Sequence, residues 1–302
     1  MKITITGISG FVGQNLSTYL SYKGFETHGL SLRTSNWKEN FITDSKAIIH
    51  LAGKAHDTAN TSAHEEYFKI NRDLTIELFD VFLSSEIKDF FYFSSVKAVA
   101  DKVEIILTED ANTEPLTPYG KSKLEAEKYI LSKPIPSGKR VFIIRPCMIH
   151  GPGNKGNLNL LFKLVEKGFP WPLASFDNRR SFLSIDNLSF MINEMLRNSN
   201  IKSGVYNFAD DNTFSTNDLV SIIGSALGKS VILWKIPVGL VKCIGKVGDV
   251  ISLPLNSERL KKLTESYVVS NAKIVNALGI NKLPISAKEG LEITIKSFNN
   301  TK

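Results

Sequence analysis

Cysteine is scarce in this chain of 302 residues, and long apolar runs are missing from it. The two cysteines, Cys147 and Cys243, are far apart and have no histidine neighbours, which argues against disulfides and a metal site. No apolar run approaches the ~20 residues of a membrane span, and a strand pattern at Lys2 leaves no room for a signal peptide. We therefore expect a cytoplasmic protein with no metal and no stable membrane insertion.

Acidic residues are outnumbered by basic ones, 30 against 37, which gives a formal net charge of +7. The basic residues are scattered, with one modest cluster at Arg259, Lys261 and Lys262. A nucleic-acid surface usually shows a denser patch of positive charge, so we expect no nucleic acid partner. The excess instead suits small anionic ligands such as nucleotide diphosphates.

The amino-terminal segment has the pattern of a strand, a glycine turn and a helix. The strand Lys2–Thr6 runs into the turn TGISGFVG, and a helical pattern follows over Gln14–Tyr22. In such a turn Gly7 allows the tight bend, Gly10 lets the backbone approach a pyrophosphate, and Gly13 lets the helix pack closely on the strand. An ordinary glycine turn is the alternative, but the flanking strand and helix favour a dinucleotide site, with the helix N–H groups facing the phosphates.

A tyrosine and a lysine four residues apart, Tyr119 and Lys123, lie one turn apart on the same face of a predicted helix. A phenol normally keeps its proton until pH ~10. A neighbouring ammonium favours the phenolate and lowers the phenol pKa toward neutrality. The spacing alone is common on helical surfaces, where it is structural, so its interpretation depends on the other motifs.

Six segments of the chain form a set of motifs, in the order TGISGFVG from Thr6, IIHLAG from Ile48, Asn71, FYFSSVKAVA from Phe91, YGKSK from Tyr119 and IIRPCMIHGPG from Ile143. Together they resemble the signatures of the extended short-chain dehydrogenase/reductase family, which contains nucleotide-sugar epimerases, dehydratases and 4-ketoreductases. The resemblance covers nearly the whole chain, and six signatures in order are far more specific than any one of them.

The strand and helix patterns agree with the fold that this resemblance implies. Up to about residue 150 they alternate, which predicts an α/β protein with a doubly wound parallel (Rossmann) sheet. The predicted strands are Lys2–Thr6, Glu26–Leu32, Ala47–Leu51, Asp89–Ser94 and Val141–Arg145, and the predicted helices between them are 62–85 and 119–131. The stretch from Arg33 to Ala47 is too short for the third strand that the family usually has, so the sheet can lack a strand there.

The domain prediction divides the chain near residue 150. Residues 1–150 would form the dinucleotide-binding domain, with a returning strand near 204–209 at Val205–Phe208. Residues 151–302 would form a smaller, mostly helical substrate-binding lobe, interleaved with the first domain.

The resemblance implies a role for each site residue. Ser95 would hydrogen-bond the substrate oxygen, Tyr119 would give or take the proton at the carbinol oxygen, and Lys123 would lower the Tyr119 pKa and bind ribose hydroxyls. The residues expected to contact the cofactor are Gly7, Ser9, Gly10, Phe11, Val12, Gly13, Arg33, Leu51, Ala52, Gly53, Asn71, Tyr119, Lys123 and Pro146.

The end of the second strand indicates which nicotinamide cofactor is used. An acidic residue there binds the ribose 2′-hydroxyl of NAD, whereas an arginine pairs with the 2′-phosphate of NADP. Ser31 stands at the expected acidic position and Arg33 follows two residues later. We therefore favour NADP(H), with NAD and an arginine that binds no ligand as the alternatives.

The second half of the sequence indicates a nucleotide-sugar substrate. Asn157 and Arg180 match family positions that contact the diphosphate, and a planar guanidinium suits two phosphate oxygens at once. Arg259 matches a further phosphate contact more loosely, with a solvated helix face as the alternative. The carboxyl-terminal stretch from Leu263 to Pro284 resembles bacterial UDP-N-acetyl-4-keto-6-deoxyhexosamine reductases, which serve surface-polysaccharide synthesis. The resemblance also implies a homodimer.

Three functions stay open from the sequence. The first is an NADP(H)-dependent 4-ketoreductase acting on a UDP-hexosamine derivative, which Arg33 and the carboxyl-terminal stretch favour. The second is an NAD-dependent UDP-hexose (UDP-glucose or UDP-GlcNAc) 4-epimerase, which needs the same catalytic residues. The third is a catalytically idle NAD(P)-sensing protein, which has no need for Tyr119 together with Lys123.

One further segment allows two interpretations. Lys235–Lys246 has the pattern of a basic amphipathic helix, which suits either a membrane surface or packing against the smaller lobe. Packing is the interpretation that we favour.

Overall fold

The computed structural model describes residues 1–54, 64–154, 157–251 and 256–299. The strands are β1 (Lys2–Thr6), β2 (Glu26–Leu30), β3 (Ala47–His50), β4 (Asp89–Phe93), β5 (Arg140–Pro146), β6 (Met148–His150), β7 (Arg180–Ser184), β8 (Gly204–Phe208) and β9 (Thr213–Phe214). The α-helices are α1 (Phe11–Tyr22), α2 (His64–Phe68), α3 (Leu74–Ser84), α4 (Pro118–Ser132), α5 (Asn157–Glu166), α6 (Ile185–Arg197), α7 (Thr216–Ala226), α8 (Val238–Ile251), α9 (Ser257–Thr264), α10 (Ala272–Leu278) and α11 (Ala287–Asn299).

The main sheet has six parallel strands in the order β2-β1-β3-β4-β5-β8. Alternate side chains of β4 enter the two cores: Phe91 packs with α1 and α6, while Phe90 and Tyr92 pack with α3 and α4. Helices therefore cover both faces, which confirms the doubly wound sheet. The strand order reverses between β1 and β3, and nucleotides bind at such a switch point, beyond the carboxyl ends of the strands.

The short connection between β2 and β3 contains no strand within the described residues. A single 3-10 helix, Trp37–Asn40, lies there instead, and the sheet ends at β2. Trp37 is buried against the core on the α3 side, so it covers that edge of the sheet with one large side chain. The predicted lack of a strand is confirmed.

Two helix boundaries differ slightly from the sequence prediction for local reasons. The first helix begins at Phe11 rather than Gln14, because Gly10 already takes the cap position. The helix that carries Tyr119 begins at Pro118, where the missing proline N–H costs nothing, and the Thr117 side chain accepts a hydrogen bond from the Gly120 N–H at 3.2 Å. The predicted helix 62–85 is observed from His64 onward and includes a π-turn at Lys69–Asp73.

The second half of the chain packs helices around a third apolar cluster. Strand β8 returns to the main sheet beside β5, as predicted. The remaining strands form a small sheet in the order β6-β7-β9, which the sequence patterns did not reveal. Helices α5, α7, α8, α9 and α11 contribute apolar side chains to the cluster beside this sheet. None of the helices in the described ranges is long and apolar enough to cross a membrane.

Candidate active site

The glycine turn after β1 forms a cradle that side chains would obstruct. Gly7 has a φ of +71°, and a Cβ there would lie 2.8 Å from the Ala52 nitrogen. A Cβ at Gly13 would lie 2.4 Å from the Gly7 carbonyl oxygen. Gly10 is the N-cap residue of α1, and because it has no side chain it does not cap the helix N–H groups itself. Ser9 and Gly10 are exposed. Backbone N–H groups at the start of α1 are thus available to phosphates, as a bound dinucleotide requires.

Phe11 and Val12 begin α1 directly after this turn and are half-buried. Phe11 reaches toward the loop after β6, where a Cβ at Gly151 would come within 3.4 Å of the end of its ring. The proposed cofactor turn is therefore in contact with the loop that leads to the proposed substrate residues.

The loop after β3 lies against the glycine turn. The Leu51 N–H donates to the Thr6 carbonyl at 3.2 Å, and the Ala52 N–H donates to Thr6 Oγ1 at 3.1 Å. Asn71, buried in the π-turn, accepts from the Lys54 N–H at 2.7 Å and donates to Ser122 Oγ at 3.1 Å. The Asn71 amide thus holds the 51–54 loop against α4, which places Gly53 beside the catalytic helix.

The structure brings Ser95, Tyr119 and Lys123 to the same edge of the sheet. Ser95 follows β4, and its side chain is hydrogen-bonded to the Tyr119 side chain. Lys123 lies one helical turn after Tyr119, is buried, and donates to the Phe93 carbonyl at 2.9 Å. A Cβ on Gly53 would lie 3.2 Å from Lys123 Nζ. The hydroxyl, phenol and amine therefore meet where the loop after β3 and the end of β4 converge.

The environment of Tyr119 differs from the sequence expectation. Burial raises the pKa of Tyr119, and the hydrogen bond from Ser95 only partly offsets this effect. Tyr67 packs edge-on against the Tyr119 ring, with 6.3 Å between the ring centroids, and also raises the pKa. The expectation that the Tyr119 pKa is lowered toward neutrality is thus not met, because desolvation of the phenolate outweighs the hydrogen bond from Ser95.

Burial also disfavours the charged form of Lys123. It lowers the pKa of Lys123 to about 8, and the carboxylate of Glu127, one turn later, partly opposes the shift. Lys123 therefore titrates close to the pH at which the protein would work, which neither its sequence position nor its residue type predicts.

The titration of Lys123 has a measurable effect on stability. Its pKa is about 8 when folded and 10.5 when unfolded, so the unfolded chain binds more protons between these values and stability rises with pH. From pH ~7 to ~9.5 we expect the wild type to gain about 2 kcal/mol of unfolding free energy relative to Lys123→Met. Urea denaturation at several pH values measures this difference. Parallel curves for the two proteins would contradict the shifted pKa.

A buried ion pair supports the catalytic helix, and sequence reasoning missed it. Arg145 on β5 donates to Glu127 from Nη2 at 2.6 Å and from Nε at 3.0 Å. Glu127 also accepts a hydrogen bond from the Ser94 hydroxyl. All three side chains are buried. Glu127 is four residues after Lys123, which was the only available signal that it belongs to this site.

The end of β2 carries the residues predicted to select the cofactor. Ser31 and Arg33 are both exposed, and the Arg33 N–H donates to Ser31 Oγ at 3.5 Å. The residues from Ser31 to Asn36 include no carboxylate. Pro146 ends β5 at the same edge of the sheet, where it is buried opposite Phe208.

The predicted substrate residues are only partly brought together. Arg180 begins β7 and donates to the Lys262 carbonyl at the end of α9; its burial lowers the pKa of the guanidinium. Arg259 is exposed on α9, one turn before Lys262. Asn157 begins α5, but its side chain lies outside the described part of the chain.

Lys97, two residues after Ser95, is a cation near the candidate site that sequence reasoning overlooked. Burial lowers the pKa of Lys97, with Asp101 opposing the shift and Arg180 adding to it. Its Nζ lies 4.3 Å from the centre of the Tyr267 ring and donates to the Asp101 carbonyl at 3.1 Å. The charge of Arg180, at the start of β7, thus reaches Lys97, which follows β4. No cluster of potential metal ligands occurs in the regions that the structure describes.

The reversed strand order and the glycine cradle define a Rossmann-type protein, with Ser95, Tyr119 and Lys123 side by side at the carboxyl edge of the sheet. The family model described as "NAD dependent epimerase/dehydratase family" matches residues 3–209. The chain belongs to this family, which confirms the resemblance inferred from its sequence.

Individual relatives lie within the same family. A UDP-glucose 4-epimerase from Vibrio cholerae is 29% identical over 322 aligned positions, covering 98% of this chain and 95% of that protein. The structure of UDP-N-acetylglucosamine 4-epimerase from Bacillus cereus aligns with a TM-score of 0.78 at 20% identity, covering 99% of both chains. The structure of RMD from Pseudomonas aeruginosa complexed with NADPH aligns with a TM-score of 0.74 at 21% identity, also covering 99% of both chains. At these identities the structural matches show a shared fold.

Proposed function

We propose that the protein reduces the C4 ketone of a UDP-linked 4-keto-6-deoxyhexosamine-type sugar with NADPH. The observation that carries this proposal is the convergence of Ser95, Tyr119 and Lys123 beside the glycine cradle. A proton donor, a hydrogen-bond donor and a cation at the carboxyl edge of a parallel sheet suit hydride transfer to a carbonyl carbon.

Each proposed catalytic group has a defined role in this reaction. NADPH bound over the glycine cradle supplies the hydride. Tyr119 gives its proton to the ketone oxygen, and Ser95 hydrogen-bonds the same oxygen. Lys123 balances the charge left on the phenolate and binds ribose hydroxyls. Burial raises the pKa of Tyr119, so the phenol is protonated before the reaction, as a proton donor has to be.

Two cations support a substrate that carries a diphosphate. Arg180 is half-buried at the start of β7, and Lys97, two residues after Ser95, lies close enough for the Arg180 charge to add to the lowering of its pKa by burial. Guanidinium and ammonium groups in partly dry surroundings bind phosphate oxygens strongly. Asn157 and Arg259 are proposed as further contacts, on the family resemblance alone. The relatives whose names contain a UDP-sugar support the uridine nucleotide and the position C4.

A 4-epimerase is the second candidate. The match to the Vibrio cholerae UDP-glucose 4-epimerase extends over nearly the whole chain, which favours it. An epimerase would oxidise and re-reduce the same carbon on a retained NAD, with Tyr119 first as base and then as acid. Ser31 and Arg33 at the end of β2 favour the reductase instead, because NAD is usually held there by a carboxylate.

The two candidates differ in whether reduced cofactor is consumed. Purified protein is incubated with a UDP-4-keto-6-deoxyhexosamine and NADPH, and separately with UDP-glucose or UDP-GlcNAc without added reductant. We expect loss of NADPH absorbance in the first mixture and no sugar interconversion in the second. Interconversion without NADPH, or tightly bound NAD in the purified protein, would establish the epimerase.

The Arg33 side chain tests the cofactor choice separately. Arg33→Ala is expected to raise the KM for NADPH about 10-fold or more, the usual value of a charge-assisted phosphate contact, and to leave the KM for NADH unchanged. Lys88→Ala is the matched control, because Lys88 is exposed and precedes β4 at the opposite edge of the sheet. Equal effects on both cofactors, or better turnover with NADH in the wild type, would contradict NADP(H).

A further inference from the structure

Exposed apolar side chains are concentrated in one short segment of the smaller lobe. Six of the fourteen large hydrophobic residues exposed in the described ranges fall between positions 232 and 247. They are Ile232, Leu233, Trp234, Leu240, Ile244 and Val247. Single exposed apolar residues are normal on a protein surface, whereas a cluster marks a surface that binds something.

Within α8 the exposed apolar residues form a stripe. Leu240, Ile244 and Val247 are 55%, 41% and 52% exposed, and their spacing of four and three residues places them on one face of the helix. The flank that includes Val241 and Gly245, about 100° around the helix from the stripe, is buried, and a Cβ at Gly245 would lie 3.3 Å from Leu260 of α9. One side of the helix therefore packs against the smaller lobe, while another side exposes apolar residues. The packing interpretation from the sequence describes the first side, and the membrane-surface interpretation describes the second.

The charges around the stripe are almost all positive. Lys235, Lys242 and Lys246 are exposed, and the last two lie one turn apart, about 150° around the helix from the stripe. Between residues 227 and 251 the sequence contains four lysines and a single acid, Asp249. Asp249 accepts a hydrogen bond from the Ser257 N–H at 2.9 Å and so helps to connect α8 to α9.

The segment before α8 is held firmly although its side chains are exposed. The Trp171 N–H donates to the Ile232 carbonyl at 2.8 Å, and the Trp234 N–H donates back to the Trp171 carbonyl at 2.9 Å. Trp171 itself is buried. The exposed Trp234 is thus presented by a fixed backbone rather than by a loose loop.

We propose that this surface, formed by residues 232–247, docks on an anionic lipid bilayer. An apolar stripe on one face of a helix and lysines on another, with a tryptophan nearby, is the pattern of a helix that lies in the membrane interface. The apolar residues would enter the acyl boundary, and Lys235, Lys242 and Lys246 would meet the anionic headgroups. A second copy of the chain suits the surface less well, because a twofold contact would bring the same lysines together.

Docking would place the substrate side of the protein near the bilayer. Helix α8 packs on α9, and the carbonyl of Lys262 in α9 accepts the hydrogen bond from Arg180. The bilayer would therefore contact α8, which packs on α9, and α9 in turn contacts Arg180, the proposed diphosphate contact. This inference does not rest on the proposed reaction, since soluble substrates test that reaction without lipid.

Vesicle flotation tests the docking with the full chain. We expect the protein to float with vesicles of phosphatidylcholine and phosphatidylglycerol, and to bind far less to phosphatidylcholine alone or at high salt. The variant Leu240→Ser/Ile244→Ser/Val247→Ser and the variant Lys242→Glu/Lys246→Glu should each lower the partition coefficient about 10-fold or more.

Matched controls separate docking from nonspecific adhesion. Ile105→Ser/Ile106→Ser removes another exposed apolar pair, and Lys121→Glu/Lys128→Glu reverses two exposed charges on α4. Both should bind vesicles like the wild type. Equal losses in control and test variants would overturn the proposal. Failure of the wild-type protein to bind anionic vesicles would also overturn it. If the stripe variants changed only the sedimentation coefficient and not vesicle binding, a second copy of the chain would cover the stripe and the proposal would be wrong.

A fluorophore on Cys243 would report directly how deeply α8 enters the bilayer. Cys243 is exposed on α8 beside Lys246 and Val247, whereas Cys147 is buried and its pKa is raised by burial, so a thiol-reactive fluorophore should label Cys243 selectively. We expect its emission to shift to the blue with anionic vesicles and to be quenched by lipid-attached quenchers. An unchanged spectrum in the presence of bound vesicles would place the contact elsewhere and overturn the assignment of this surface.

Discussion

Tyr119→Phe is expected to lower turnover by about 100-fold or more, which is the usual contribution of a general acid-base group. The substitution removes only the phenolic oxygen, so the ring keeps its edge-on contact with Tyr67. Without that oxygen the ketone receives no proton from the protein, and the Ser95 hydroxyl loses its hydrogen-bond partner. Cofactor binding should be nearly intact, because the glycine cradle is untouched.

The measurement is single-turnover reduction with NADPH, together with cofactor binding by fluorescence. Tyr129→Phe is the matched control, since Tyr129 lies in the same helix and donates to the Asp80 carboxylate at 2.8 Å, away from the active site. Its turnover should equal that of the wild type. Near-normal turnover of Tyr119→Phe would remove the central role that we assign to this residue.

Glu127→Gln is expected to destabilise the protein by about 3–5 kcal/mol, the usual cost of breaking a buried ion pair from one side. Glu127 and Arg145 have side-chain exposures of only 1% and 5%, so the substitution leaves a guanidinium in dry surroundings without its counter-charge. Ser94 also loses a charged acceptor. The free energy of unfolding in urea measures the effect.

Glu125→Gln is the control for this second prediction. Glu125 lies two residues earlier in α4 and pairs with Arg72 at 2.8 Å, but both side chains are substantially exposed. Exposed pairs contribute only about 0–1 kcal/mol, so this variant should unfold almost like the wild type. If the two variants lost similar free energies of unfolding, the buried ion pair would contribute no more to stability than the exposed pair. Because Glu127 opposes the lowering of the Lys123 pKa, its loss should also move the Lys123 titration to lower pH.

Much of the sheet was predictable because its signals are local. Lys2–Thr6 and the glycine turn adjoin in sequence, and the Cβ distances at Gly7 and Gly13 show why no other residue fits there. The lack of a third strand was predictable for an equally simple reason, because the chain between Arg33 and Ala47 is too short to form that strand and its connections.

The partnership of Tyr119 with Lys123 was only half predictable. Their positions on one helix follow from spacing, and both do reach the edge of the sheet where the motifs should meet. The pKa values do not follow from spacing, because they depend on which groups from other elements bury the phenol and the amine.

The sequence by itself determined the family, the glycine cradle and the identity of the Ser–Tyr–Lys group, since these depend on residue types at short, regular spacings. Tertiary structure alone decided that Glu127 and Arg145 pair beneath the site, that the charge of Arg180 reaches Lys97, and which side of α8 remains uncovered. Desolvation and charge pairing depend on contacts between residues far apart in the chain, and such contacts exist only once the sheet and its helices have assembled.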